Sequence, residues 1–213
     1  MSVASDLRFS DRELRDLAVA WVALGVAFAV FFAGGGPGLL GLLGGGGFVV
    51  AVVVSLLTAG IGFLLHELAH KVVAVRFGQI AEFRADYGML FLAVVSALAG
   101  FIFAAPGAVY HRGVLSDREH GLIALAGPVA NIGLALVFLP VLGVGAVLGS
   151  DLVSLVGARG LAINLFLAAF NMIPFGSLDG RTVLDWSTPA FVAVFVPSLL
   201  VALYVVFVAG VGF

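Results

Sequence analysis

Apolar stretches long enough to cross a hydrocarbon layer of ~30 Å recur along this chain, and nothing else in it narrows the possible folds as much. They cover residues 17–33, 48–75, 89–105, 121–148 and 156–173, with a last one running from Thr188 to about Ala209. The chain has 213 residues, of which 62% are hydrophobic and only 10% charged, against about a quarter charged in a soluble domain. The expected fold is therefore an all-α polytopic membrane protein with five to six transmembrane helices. It forms a single integral domain over residues 1–213, embedded in a lipid bilayer, with residues 1–16 as a cytoplasmic N-terminal segment. That segment carries both signs of charge and is followed by no clear cleavage site, so it does not read as a secretory signal. A net charge of −2 with no basic stripe excludes nucleic acid as a partner. The absence of cysteine excludes disulfides, thiolate catalysis and cysteine-based metal sites.

Local signals punctuate these stretches. Ser10 with Glu13, and Ser116 with Glu119, each read as a capping box opening a helix. Residues 34–47, dominated by glycine with Pro37, read as a loop or loosely ordered connector. Residues 80–87 alternate loosely and predict a short strand. Thr188 is expected to cap the last helix and Pro189 to open it.

One pattern carries chemistry. His66-Glu67-Leu68-Ala69-His70 fits H-E-x-x-H. On a helix, positions four apart share a face, so two imidazoles there can grip one zinc ion. Glu67 lies beside them and can take a proton from a water that zinc has made acidic. Ionisable side chains at mid-membrane cost roughly 2.5–3.5 kcal/mol each on insertion scales, so three within five residues require a compensating role. Upstream, Ser55, Thr58, Gly62, His66 and Ala69 form a small and polar stripe suited to close helix packing. The hydroxyls of Ser55 and Thr58 are expected to bond back to helix carbonyls.

A catalytic zinc site usually takes a third protein ligand. Asp179, His111, His120 and Asp151 are the candidates. Asp179 follows a long apolar helix in a segment broken by proline and glycine, where irregular backbone can line a cavity. His111 and His120 flank a polar loop and read as solvated, while Asp151 sits in a turn.

The stretch from His66 to His70, followed far downstream by Asn171-Met172-Ile173-Pro174-Phe175-Gly176-Ser177-Leu178-Asp179-Gly180, resembles the site-2 protease family, which pairs H-E-x-x-H with Asn-x-x-Pro-x-x-x-Leu-Asp-Gly. Gly127-Pro128-Val129-Ala130-Asn131 resembles the same family's Gly-Pro-x-x-Asn segment. The likeness covers roughly residues 48–182, the expected catalytic core, and is to a short archaeal-type member without a PDZ-like or nucleotide-binding appendage. It implies an intramembrane zinc metalloprotease that hydrolyses peptide bonds within or next to transmembrane segments of a membrane-protein substrate. It also implies Zn2+ on His66, His70 and Asp179, Glu67 as the base, and Asn171 facing substrate or oxyanion. Asn131 could share that last role or bridge helices. Two departures stand out: Ser177 replaces a frequent proline, and residues 85–105 are longer and more apolar than a short sheet segment.

Topology offers a check. The ligands meet only if an even number of crossings separates His70 from Asp179, yet three apolar stretches lie between them. Residues 89–105, surrounded and interrupted by Gly88, Gly100, Pro106 and Gly107, are therefore expected to re-enter as a helix, hairpin or strand. With a cytoplasmic N-terminus, that arrangement puts every Lys and Arg except Arg159 on the cytoplasmic side, as the positive-inside rule prefers. The site then lies toward the cytoplasm. Competing readings are a catalytically inactive membrane scaffold of the same fold and a small metal-ion transporter. The latter lacks the paired broken helices such proteins usually show.

Overall fold

A computed structural model describes residues 7–43 and 46–212. Five of its helical segments are long and apolar enough to cross a membrane: Asp11–Phe32 (α1), Gly47–Arg76, Asp117–Leu148 (α6), Asp151–Asn171 (α7) and Thr188–Val208. The protein is thus an all-α polytopic membrane protein. The second span is compound. Helix α3 (Gly47–Ser55) passes through a π-helical turn (Leu56–Gly60) into α4 (Ile61–Arg76), which carries the HELAH sequence. A π turn widens the helix locally. Its Leu56 carbonyl accepts both the Ile61 amide and, at 3.1 Å, the indole Nε1–H of Trp21 on α1. The last span likewise joins α9 (Thr188–Leu203) to a π turn (Tyr204–Val208).

Between α4 and α6 lies a re-entrant unit. Strand β1 (Ile80–Ala85) pairs antiparallel with β2 (Gly107–Arg112), Ile80 opposite Arg112 and Ala85 opposite Gly107. Helix α5 (Tyr87–Leu98) sits in the loop that joins them. Its 12 residues reach about 18 Å, well short of a ~30 Å core. The amide of Asp86 donates to the carbonyl of Pro106 at 3.0 Å, so the chain returns to the level it left. Between His70 and Asp179 only α6 and α7 are long and apolar enough to cross, which agrees with the parity condition.

Three local expectations need correction. The glycine-rich stretch is not simply a loop: Gly35–Leu43 forms a short helix, α2, though Gly44 and Gly45 lie outside the described residues. Glycine disfavours helix in water, but where water is absent a backbone satisfies its own polar groups, and the leucines make this stretch apolar. Ser187, not Thr188, caps α9, accepting from the amide of Ala190. The box at Ser116–Glu119 is complete, but at Ser10 only half forms. The Glu13 carboxylate turns away from the helix end to meet Lys71 and the Phe83 amide, and both Glu13 and Asp16 are buried. From Asp11 on, the N-terminal segment is therefore part of the packed helix α1, while residues 1–6 lie outside the described ones.

Helices α6 and α7 form the central pair. Gly157 and Gly160 of α7 face Leu142 and Phe138 of α6 so closely that a Cβ at either would collide. Small residues drive such approach where lipid offers no hydrophobic contrast. Against this pair pack α4 and the short helix α8 (Asp179–Trp186), which opens with Asp179.

Candidate metal centre

Helix α4 buries one stripe against α6 and α7, and His66 and His70 fall on it, 5% and 8% exposed. They lie ten and six residues before the end of the helix, about 15 and 9 Å in from that end. Thr58 on the same stripe donates back to Val54 at 2.8 Å, as expected, whereas the buried Ser55 hydroxyl has no partner.

Each imidazole is held by its Nδ1. His66 Nδ1 meets Oδ1 of Asn131 at 2.6 Å, and His70 Nδ1 meets the carbonyl of Ile123 at 2.7 Å. The Asn131 amide can face only one way, because its Nδ2 donates to both the Gly62 carbonyl and Asn164 Oδ1. Its Oδ1 therefore accepts, and both Nδ1 atoms carry protons as donors. This leaves both Nε2 atoms turned inward, 2.9 Å apart. Asn131 thus stands behind His66, fully buried, bridging α4, α6 and α7, and does not line the cavity. Of the two roles open to it in the sequence, the geometry matches the bridge. Asn164 completes the chain by donating to Gly160 at 2.8 Å.

The third group arrives from α8. Asp179 Oδ2 lies 3.3 Å from His66 Nε2 and 3.4 Å from His70 Nε2. That oxygen is buried and makes no hydrogen bond. Burial would raise the Asp179 carboxyl, but the adjoining His70 and His66 together outweigh it and bring it down to about 2, so it stands as a carboxylate. Two inward nitrogens and an orphaned anionic oxygen, converging within 4.8 Å, need a cation among them. A proton can serve in the bare chain. A divalent metal fits better, because nitrogen–oxygen sets of this kind suit transition metals and leave a further position open.

Two glycines make the convergence possible. A Cβ on Gly127 would lie 2.4 Å from His70 Nε2 and 2.5 Å from His66 Nε2, so α6 approaches the imidazoles only because position 127 has no side chain. A Cβ on Gly180 would lie 2.1 Å from the carbonyl of Met172, so α8 could not start against the end of α7. Pro128 removes the amide that would bond Ala124, loosening the turn in which Ile123 also serves His70.

The three candidate ligands and Glu67 open onto one cavity of about 470 Å³, lined also by Asn171 and by β2. Glu67 is buried, 8% exposed. Asn171 Nδ2 donates to Leu167 at 2.9 Å, leaving its second amide hydrogen and its Oδ1 free for the cavity. His111 and His120 line the mouth of the cavity, His111 half-buried and His120 exposed as expected, with ring centroids 5.3 Å apart, and neither joins the ligand cluster. Burial and the neighbouring His120 hold the His111 imidazole below its ordinary value. Asp151 lies in the first turn of α7, whose cap is Ser150.

Comparison with known proteins places the chain. It is 37% identical over 205 residues to a Methanocaldococcus jannaschii protein named "Putative zinc metalloprotease MJ0611", covering 95% of this chain and 99% of that one. It is 28% identical over 151 residues to "Putative zinc metalloprotease YwhC" of Bacillus subtilis, covering 62% of this chain and 68% of that one. No family model and no solved structure matches it. With the HELAH helix, the Leu178-Asp179-Gly180 turn and near end-to-end likeness to the first of these relatives, the chain belongs to the site-2 protease-like family of zinc metalloproteases.

Proposed function

We propose that this protein is a zinc-dependent intramembrane endopeptidase that cleaves peptide bonds within or beside transmembrane segments of other membrane proteins. What carries the reading is the convergence of His66, His70 and Asp179 on one point inside the membrane-spanning bundle, with Glu67 in the same cavity. Bound there, zinc would supply Lewis acidity toward a substrate carbonyl and a water. The rest falls to the chain's own residues. Glu67 takes the proton of the attacking water and returns it to the leaving amine. Asn171 offers its free amide hydrogen to the developing oxyanion. The Nδ1 hydrogen bonds of His66 and His70 fix both rings so that neither turns away.

A helical substrate shields its own carbonyls, so it unwinds before attack. The outer edge of β2 lines the cavity, and an extended substrate segment could pair with it by strand addition. The cytoplasmic placement of the site rests on the distribution of basic residues, with Arg159 alone on the far side.

The test is Glu67→Gln purified beside wild type, with zinc measured by mass spectrometry and cleavage measured on a model transmembrane substrate. The variant is expected to keep one zinc per chain and to lose turnover by about 10²–10⁴-fold. Full turnover in the variant would discard Glu67 as base. A zinc-loaded wild type inert toward every membrane substrate would favour a scaffold, and metal flux in liposomes would favour a transporter.

A further inference from the structure

The re-entrant sheet is fastened on the side away from the cavity by an unusual set of buried charges. The Phe83 amide donates to Glu13 Oε1 at 3.0 Å and the Ala85 amide to Asp16 Oδ2 at 3.4 Å. Asp16 also accepts from the Tyr87 hydroxyl at 2.7 Å. Glu13 and Asp16 are one turn apart on α1, so they match two amides two residues apart on a strand. The second oxygen of Glu13 receives Lys71 at 2.5 Å, and Lys71 directly follows His70 on the metal helix. All three charged side chains are at most 1% exposed. Such groups are almost never fully buried unless paired, and a surface cap would need none of this.

The geometry also settles which edge of the sheet is free. Because Phe83 and Ala85 turn their amides toward α1, the alternate residues Ile80, Glu82 and Arg84 face β2, where their partners are Arg112, Tyr110 and Ala108. Val109 and His111 therefore direct their backbone groups outward, and among the described residues those groups have no hydrogen-bond partner. Both residues line the cavity. One edge of the sheet is occupied by α1; the other is open beside the metal ligands.

We infer that Glu13 and Asp16 are positioning residues: tied through Lys71 to the metal helix, they fix the height of the sheet so that the open edge of β2 presents an extended substrate to the metal ligands in one register. This deepens the protease reading and rests on it for the substrate, though the clamp itself can be measured without turnover. A strand that loses its anchor slips by two residues at a time, since that keeps side chains on the same face.

The experiment uses the full chain in lipid nanodiscs. Wild type should cut a model transmembrane substrate at one bond. Asp16→Ala should cut at additional bonds two residues away, with kcat/KM about tenfold lower, mostly through KM, and with zinc content unchanged. Asp16→Asn, which keeps an acceptor for the Ala85 amide, should restore the single bond. A merely structural role would lower yield or zinc content without moving the cleavage position. Asp16→Ala cutting the same single bond with unchanged KM would overturn the inference. Should wild type cut nothing, the protease reading fails, and hydrogen exchange on the metal-free chain still decides the clamp. Protection of the Ala85 amide should drop in Asp16→Ala and return in Asp16→Asn, and equal protection in all three would overturn it.

Discussion

Asn131 Oδ1 accepts from His66 Nδ1 at 2.6 Å, from a helix 65 residues away in sequence, and its amide is itself locked by Gly62 and Asn164. This candidate metal ligand is thus oriented by a side chain that does not line the cavity. Removing such a partner usually costs 10–100-fold in metal affinity. Asn131→Ala is expected to weaken zinc binding by about that factor, as read by competition with a chromophoric chelator, while its helical circular dichroism stays that of wild type. Unchanged affinity would mean that His66 needs no such support.

Gly127 makes the opposite kind of prediction, because there an added atom is harmful. A Cβ would sit within 2.5 Å of both imidazoles, against atoms that packing holds in place. Gly127→Ala should push α6 from α4 or turn the rings, and in either case zinc is lost and cleavage with it. A helix interior otherwise gains from this substitution, by about 1 kcal/mol. A folded, metal-free protein is therefore the expected product. A variant retaining zinc and activity would show that α6 stands further away than this structure has it.

How far the sequence discloses the site follows from the kinds of residue involved. His66, Glu67, His70 and Asp179 are conspicuous because ionisable groups are rare and costly in apolar helices. The re-entrant unit follows from parity and from Gly88, Gly100 and Pro106. Asn131 is different: whether an asparagine faces a cavity or a ligand depends on the rotation of α6, which Gly127 and Pro128 set together. Glu13 misleads for a related reason. Ser10-x-x-Glu13 satisfies the local pattern of a capping box, but Lys71 and the Phe83 amide, 58 and 70 residues onward, compete for its carboxylate and win. Local patterns carry no record of such partners. The helix at Gly35–Leu43 was hidden because glycine propensities are measured in water.

Acid should reveal the charge on Asp179. Its folded value of about 2 lies below the 3.8 of an ordinary aspartate. A depressed carboxyl stabilises the fold fully above its unfolded value, and that stability is lost as pH falls through the folded one. In the metal-free protein the contribution is about 2 kcal/mol, present above pH ~4 and lost toward pH 2. Thermal melts of the metal-free chain in detergent should therefore fall more steeply between pH 4 and 2 for wild type than for Asp179→Asn. Parallel curves would show that the carboxylate is not held by the imidazoles.

Asn171 separates a packing role from a chemical one. Its Nδ2 already donates to Leu167 on its own helix, a bond a purely structural asparagine would also make. Asn171 also lines the cavity, however, and the rest of its amide makes no hydrogen bond among the described residues. If its second amide hydrogen meets the oxyanion, the worth of that contact appears in the transition state more than in the bound substrate, and losing one such donor costs about 10²–10³ in kcat. Asn171→Ala is accordingly expected to lower kcat by that factor with KM within about threefold and zinc content intact. A rise in KM with kcat preserved would instead assign Asn171 to holding the substrate backbone in its ground state. No change in either would leave it a packing residue and make the metal the sole support for the oxyanion.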